Sequence, residues 1–164
     1  MRVATRGGGI YRHVWLVKRA QTHLVTWGTF VAPHVHAASI AGDASTGPLR
    51  AVATLNITAQ VTSQSTEASV SATFELIDLA GATVATLSSS DAPVVAGGQV
   101  TLRAMGGVPA VELWTLRNPN LYTVRTRLLS TSSKAVLDEE NTTVGFRALR
   151  YSKVTSAIYI PTLE

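Results

Sequence analysis

Alternation with a period of two dominates the chain, and it is clearest between Leu49 and Val61. There Leu49, Ala51, Ala53, Leu55, Ile57, Ala59 and Val61 share one parity, while Arg50, Thr54, Asn56, Thr58 and Gln60 mostly take the other. Successive side chains of a strand point to opposite faces, so this run reads as a half-buried strand. From Ala68 to Asp78, the positions Ala68, Val70, Ala72, Phe74 and Leu76 alternate with Ser69, Ser71, Thr73 and Glu75, and Asp78-Leu79-Ala80-Gly81 supplies a turn. The two segments are expected to be neighbouring strands. Further strands are expected at His23 to Val31, Thr83 to Leu87, Gln99 to Ala104, Leu121 to Leu129 and Ala135 to Arg147. Between them lie Gly42-Asp43, Gly47-Pro48, Asp91-Ala92-Pro93, Gly97-Gly98 and Gly106-Gly107, residues that permit positive φ or fix a turn. No window of helical length keeps a 3.6-residue apolar period. The pattern predicts an all-β fold, an antiparallel β-sandwich of about seven strands, with a closed barrel as the alternative.

Composition narrows this reading. At 164 residues the chain has the length of one domain, and two would be a squeeze. Hydrophobic residues make up 46% and charged residues only 15%, below the usual quarter or so, so Ser and Thr must cover much of the surface. Those residues suit strands better than helix interiors.

The net charge of +4 is unevenly spread. Arg2, Arg6, Arg12, Lys18 and Arg19 all precede the first acidic residue, Asp43, and the remaining nine basic residues nearly cancel ten acidic ones. With no Lys/Arg run and no recurring aromatic–basic pattern, nucleic acid is not an expected partner. The absence of cysteine excludes a disulfide framework and a cysteine-based zinc site. The first twenty residues hold no apolar signal core, and no stretch approaches the 18 or so apolar residues of a membrane span, so no membrane partner is expected.

Three short segments carry more information than the bulk. In Asn118-Pro119-Asn120-Leu121-Tyr122, Pro119 fixes φ and turns the chain before a strand in which Tyr122, Val124 and Leu128 share a face. A Tyr placed there either buries its ring and returns its hydroxyl to backbone across the corner, or is an ordinary core residue. The other two segments are Gly9-Ile10-Tyr11-Arg12-His13-Val14-Trp15-Leu16 and Val144-Gly145-Phe146-Arg147.

Together these segments resemble glycoside hydrolase family 2, of the β-galactosidase type, in its immunoglobulin-like middle domain and the two junctions of that domain. Leu113-Trp114 and Asn118 to Tyr122 fit the family's pattern, while Thr115, Leu116 and Arg117 depart from it. The opening segment is similar to the last strand of the family's sugar-binding jelly roll, and Val144 to Arg147 to the strand that hands over to the catalytic barrel. The resemblance implies residues 1–19 as a jelly-roll remnant and linker, 20–147 as an immunoglobulin-like β-sandwich, and 148–164 as a tail where the barrel would begin. It implies Tyr11, Arg12, Trp15, Phe146 and Arg147 at contacts with those neighbouring domains, and structural roles for Trp114, Pro119 and Tyr122. Nothing resembles the barrel itself. The expected function is therefore a non-catalytic spacer in a sugar hydrolase, with no catalytic residue, no cofactor and no metal of its own, partnered by the parent's other domains. A homo-oligomer through the exposed junctions is a further expectation.

Residue by residue, the chemistry is sparse. Glycoside hydrolysis needs two carboxyl groups facing across a sugar, and Asp138-Glu139-Glu140 is the only acidic cluster. Asp138 and Glu140 would share a face of a strand, but a solvated turn is the preferred reading. His34 and His36 would project together from a strand toward a metal, yet no third ligand lies near in sequence; an edge pair beside Pro33 is preferred. His13 and His23 stand alone. Gly7-Gly8-Gly9 lacks the strand-and-helix context of a phosphate loop, and Asn56-Ile57-Thr58 and Asn141-Thr142-Thr143 match the glycosylation tripeptide only as common patterns do. Trp15, Trp27 and Trp114 could serve a free-standing carbohydrate-binding module, or the fold an interaction domain of fibronectin kind. Each Trp sits in an apolar strand pattern, which favours core or interdomain packing.

Overall fold

The computed structural model describes residues 13–42, 47–64, 68–152 and 157–159, with side chains as far as residue 149. Eight strands form the body: β1 (Thr22–Val35), β2 (Arg50–Ser63), β3 (Ala68–Ile77), β4 (Thr83–Ser88), β5 (Ala92–Val94), β6 (Gln99–Glu112), β7 (Tyr122–Ser130) and β8 (Val136–Val144). A first sheet has the order β1-β2-β6, and a second the order β4-β3-β7-β8, with β5 pairing the start of β3 on the edge that β4 shares. All pairings are antiparallel. Two short strands, β9 (Arg150–Ser152) and β10 (Ala157–Tyr159), pair with each other.

The alternation read from the sequence is what builds the core. Every apolar residue of the Leu49–Val61 parity is buried, as are Val70, Ala72, Phe74 and Leu76 across from them. With Leu24, Leu102, Val124 and Leu128 they form one cluster fed by both sheets. Each large side chain so buried contributes about 1.5–3 kcal/mol. The result is a β-sandwich with open sheet edges, which settles the choice against a closed barrel.

Several details differ from the sequence reading. β2 and β3 are not neighbours but lie in opposite sheets, because the chain crosses over after Ser63 instead of turning back in a hairpin. Period two fixes which face is buried, and both faces here look into the same core. Asp91-Ala92-Pro93, expected as a turn, runs into β5, where an edge position tolerates Pro93. Gly106-Gly107 is not a turn either. It lies inside β6, where a Cβ on Gly106 would fall 2.2 Å from Leu87 Cδ2, so the Leu87 side chain occupies the space beside the glycine. Asp138-Glu139-Glu140 sits on β8 instead of in a solvated turn.

β1 starts at Thr22 beside Ser63, and β8 starts at Val136 beside Leu129. The two strands run the same way along the sandwich, tied at Leu24 to Asp138 and at Thr29 to Glu140. The chain therefore enters the body at one end and leaves β8, nine residues or roughly 30 Å later, at the other.

Candidate interdomain junction

The outgoing end is built around Tyr122. Pro119 bridges to Trp114, and the loop between them is closed by Thr115 N–H donating to Asn118 O at 2.9 Å and Asn118 N–H donating to Thr115 Oγ1 at 3.0 Å. That turn feeds Tyr122 into β7 with its ring buried, edge-on to the Phe146 ring at 5.2 Å between centroids. The Tyr122 hydroxyl accepts the Glu112 backbone N–H at 2.8 Å. Of the two roles the sequence left open, the corner is therefore the one realised. Burial first of all, then the nearby Glu112 and Asp78 charges, keep the phenol above its ordinary value; the Glu112 hydrogen bond and Arg50 work against them.

Chain exit is fastened to this corner. Trp114 N–H donates to Phe146 O at 2.7 Å, and the Arg147 guanidinium lies 5.6 Å from the centroid of the Trp114 ring, a cation–π contact at the surface. Phe146, expected at a domain contact, has its side chain fully buried in this sandwich. Arg147 is exposed and Trp15 is 79% exposed, whereas Tyr11 and Arg12 lie outside the described residues.

Beside the corner opens a cleft of about 360 Å³, lined by Arg50, Asp78, Leu79, Glu112, Leu121 and Tyr122 among others. Its charges are already committed: Arg50 pairs with Glu112 at 2.9 Å, and Asp78 Oδ1 accepts the Ala82 N–H at 2.8 Å.

The remaining candidates serve structure. Asp138 accepts from Arg19 at 2.9 Å and from the Leu24 N–H at 3.0 Å, and Glu140 accepts from the Thr29 hydroxyl at 3.1 Å, so both carboxylates staple β1 to β8. Glu139 faces outward to Arg125 and Arg127. The His34 and His36 rings meet edge-on at 5.3 Å, with His36 Nε2 hydrogen-bonded to Thr54 Oγ1 at 2.9 Å. Among the described residues no three His, Cys, Asp or Glu side chains gather as metal ligands. Trp27, expected in core or interdomain packing, is 91% exposed and stays out of this sandwich's core.

A family model described as Glycosyl hydrolases family 2 matches residues 34–147. The chain belongs to that family. Over 142 residues this family 2 chain is 33% identical to beta-galactosidase BoGH2A of Bacteroides ovatus, covering 86% of itself and 15% of that protein. A β-glucuronidase of Bacteroides uniformis superimposes with a TM-score of 0.71 at 27% identity, over 88% of this chain and 16% of that one. A family 2 member from Bacteroides cellulosilyticus gives 0.65 at 25% identity, over 81% and 15%. The family 2 chain thus spans only 15–16% of the length of these relatives.

Sequence reasoning missed Phe30, Arg103 and Met105 as surface features. Their signal was parity: Gln99, Thr101, Arg103 and Met105 alternate against the buried Leu102 and Ala104, which sends Met105 outward despite its chemistry.

Proposed function

We propose that this chain is a non-catalytic spacer of a β-galactosidase-like family 2 glycosidase, whose O-glycosyl hydrolysis is carried by a barrel outside these 164 residues. The observation that carries the reading is geometric. The polypeptide enters the sandwich at one end and leaves at the opposite end, and the exit is locked by Tyr122, Phe146 and Trp114. A rigid body between two modules holds groups on each at a fixed separation, which catalysis across domains needs. On this reading residues 1–19 finish a preceding sugar-binding jelly roll and 148–164 lead into the barrel. Tyr11, Arg12 and Trp15 then meet one neighbour and Arg147 the other.

One observation favours a second reading, a carbohydrate-binding module: the nearly complete exposure of Trp27. The purified chain separates the two when given a chromogenic β-galactoside and a glycan array. The spacer neither hydrolyses the first nor binds the second. Hydrolysis contradicts both readings, and glycan retention lost in Trp27→Ala favours the module.

A further inference from the structure

The two outer faces of the sandwich are made of different chemistry, and one of them is unfinished. On the second sheet, Glu75 and Glu139 reach Arg125 and Arg127 in four ion pairs of 2.8–3.7 Å, so the charges there are mutually answered. On the first sheet the outward rows read Phe30–Thr58–Arg103 and Ala32–Asn56–Met105 across β1, β2 and β6. Phe30 is 66% and Met105 74% exposed, and Arg103 has no ion-pair or hydrogen-bond partner among the described residues.

Above these rows β1 bulges. Between Leu24 and Thr29 the register slips, leaving Val25 to Gly28 opposite Gln60, and Trp27 stands on the bulge with φ of 58°. A bulky residue in that left-handed region costs on the order of 1–3 kcal/mol. Despite this cost the indole stands out in water, 91% exposed.

Aromatics, Met and Arg with few Lys, Asp or Glu are the composition of a protein interface core, and Trp and Arg are the residues most often found as its anchors. We propose that this face is a docking surface for another domain of the same polypeptide, one that presents an apolar hollow to Trp27 and a carboxylate to Arg103. The inference rests on the spacer reading and assigns its contact. The relatives supply the room, since the chain is 15–16% of their length. Charge argues against a second copy of the same face: two-fold pairing brings Arg103 toward its own mate, with no acid in either row to receive it.

Hydroxyl-radical footprinting read by mass spectrometry tests this. Trp27, Phe30 and Met105 are compared in the isolated 164-residue chain and in the intact polypeptide encoded by its reading frame, with Val136 as an exposed control. The expected result is severalfold protection of all three in the intact polypeptide and full labelling in the isolated chain. Equal labelling in both overturns the proposal, as does a reading frame with no further domain. Protection already present in the isolated chain and rising with its concentration assigns the face to a second copy; protection only on adding oligosaccharide assigns it to a glycan. Either result also overturns the proposal. An exposed Trp27 in an intact polypeptide leaves the spacer reading standing, because hydrolysis by the isolated chain is what contradicts that one.

Discussion

Both sheets bury the same kind of side chain inward, yet their outward faces differ as a finished surface differs from a half of one. The second sheet spends charge on charge, with Glu75, Arg125, Arg127 and Glu139 answering one another beneath water. Glu139 first, then the charge of Glu75, raise Arg127 further above its ordinary range. The first sheet spreads Trp27, Phe30 and Met105 among Thr, Asn and Gln, and Arg103 has no ion-pair partner among the described residues. The lesson is that outward polarity is not a default of the fold. It is set strand by strand, and on the proposed docking reading the face with exposed aromatics is the one that another domain covers.

Substitutions ordered by expected effect sharpen that contrast. Phe146→Ala should cost the isolated chain about 3–5 kcal/mol in denaturant unfolding, as emptying a packed aromatic site does. A loss near zero would return Phe146 to the list of contact residues. Tyr122→Phe should cost about 1–2 kcal/mol by stranding the Glu112 N–H. It should also change the pH profile. An unfolded phenol ionises near 10.0 while the folded one ionises higher, so Tyr122's share of stability is whole below pH 10 and falls as pH rises past it. The Phe variant should lose that part of the decline. Glu75→Gln should cost under about 1 kcal/mol, with most of the effect gone in high salt, because its partners are about a third exposed. Smallest of all, Phe30→Ala should move the isolated chain's unfolding by no more than about 0.5 kcal/mol. A larger loss would mean that the first outer face is already finished.

How much of this was legible beforehand follows from what period two encodes. It marks which side chains of Leu49–Val61 and Ala68–Leu76 turn inward, and all but the partly buried Ala68 do so fully. It does not encode which strand lies beside which, so β2 and β3 were paired across a crossover. Phe146 was readable from its own parity with the buried Val144, but its place in a junction motif pulled it toward the surface. Trp27 was not readable. An apolar run around a Trp leaves core and interdomain packing both open, and only the slip in register and the positive φ turn it away from this sandwich's core. Gly106 was not readable either, because the side chain that packs beside it, Leu87, belongs to a strand distant in sequence.

The claim on which the rest depends is that the body holds its two chain ends rigidly apart. The chain has no cysteine, so spin labels at Ala20→Cys and Arg147→Cys report without background. Double electron–electron resonance on the purified chain should give one narrow distance on the order of 30 Å, set by the rise of β8. A broad distribution, or a short distance that brings incoming and outgoing ends together, would contradict the account.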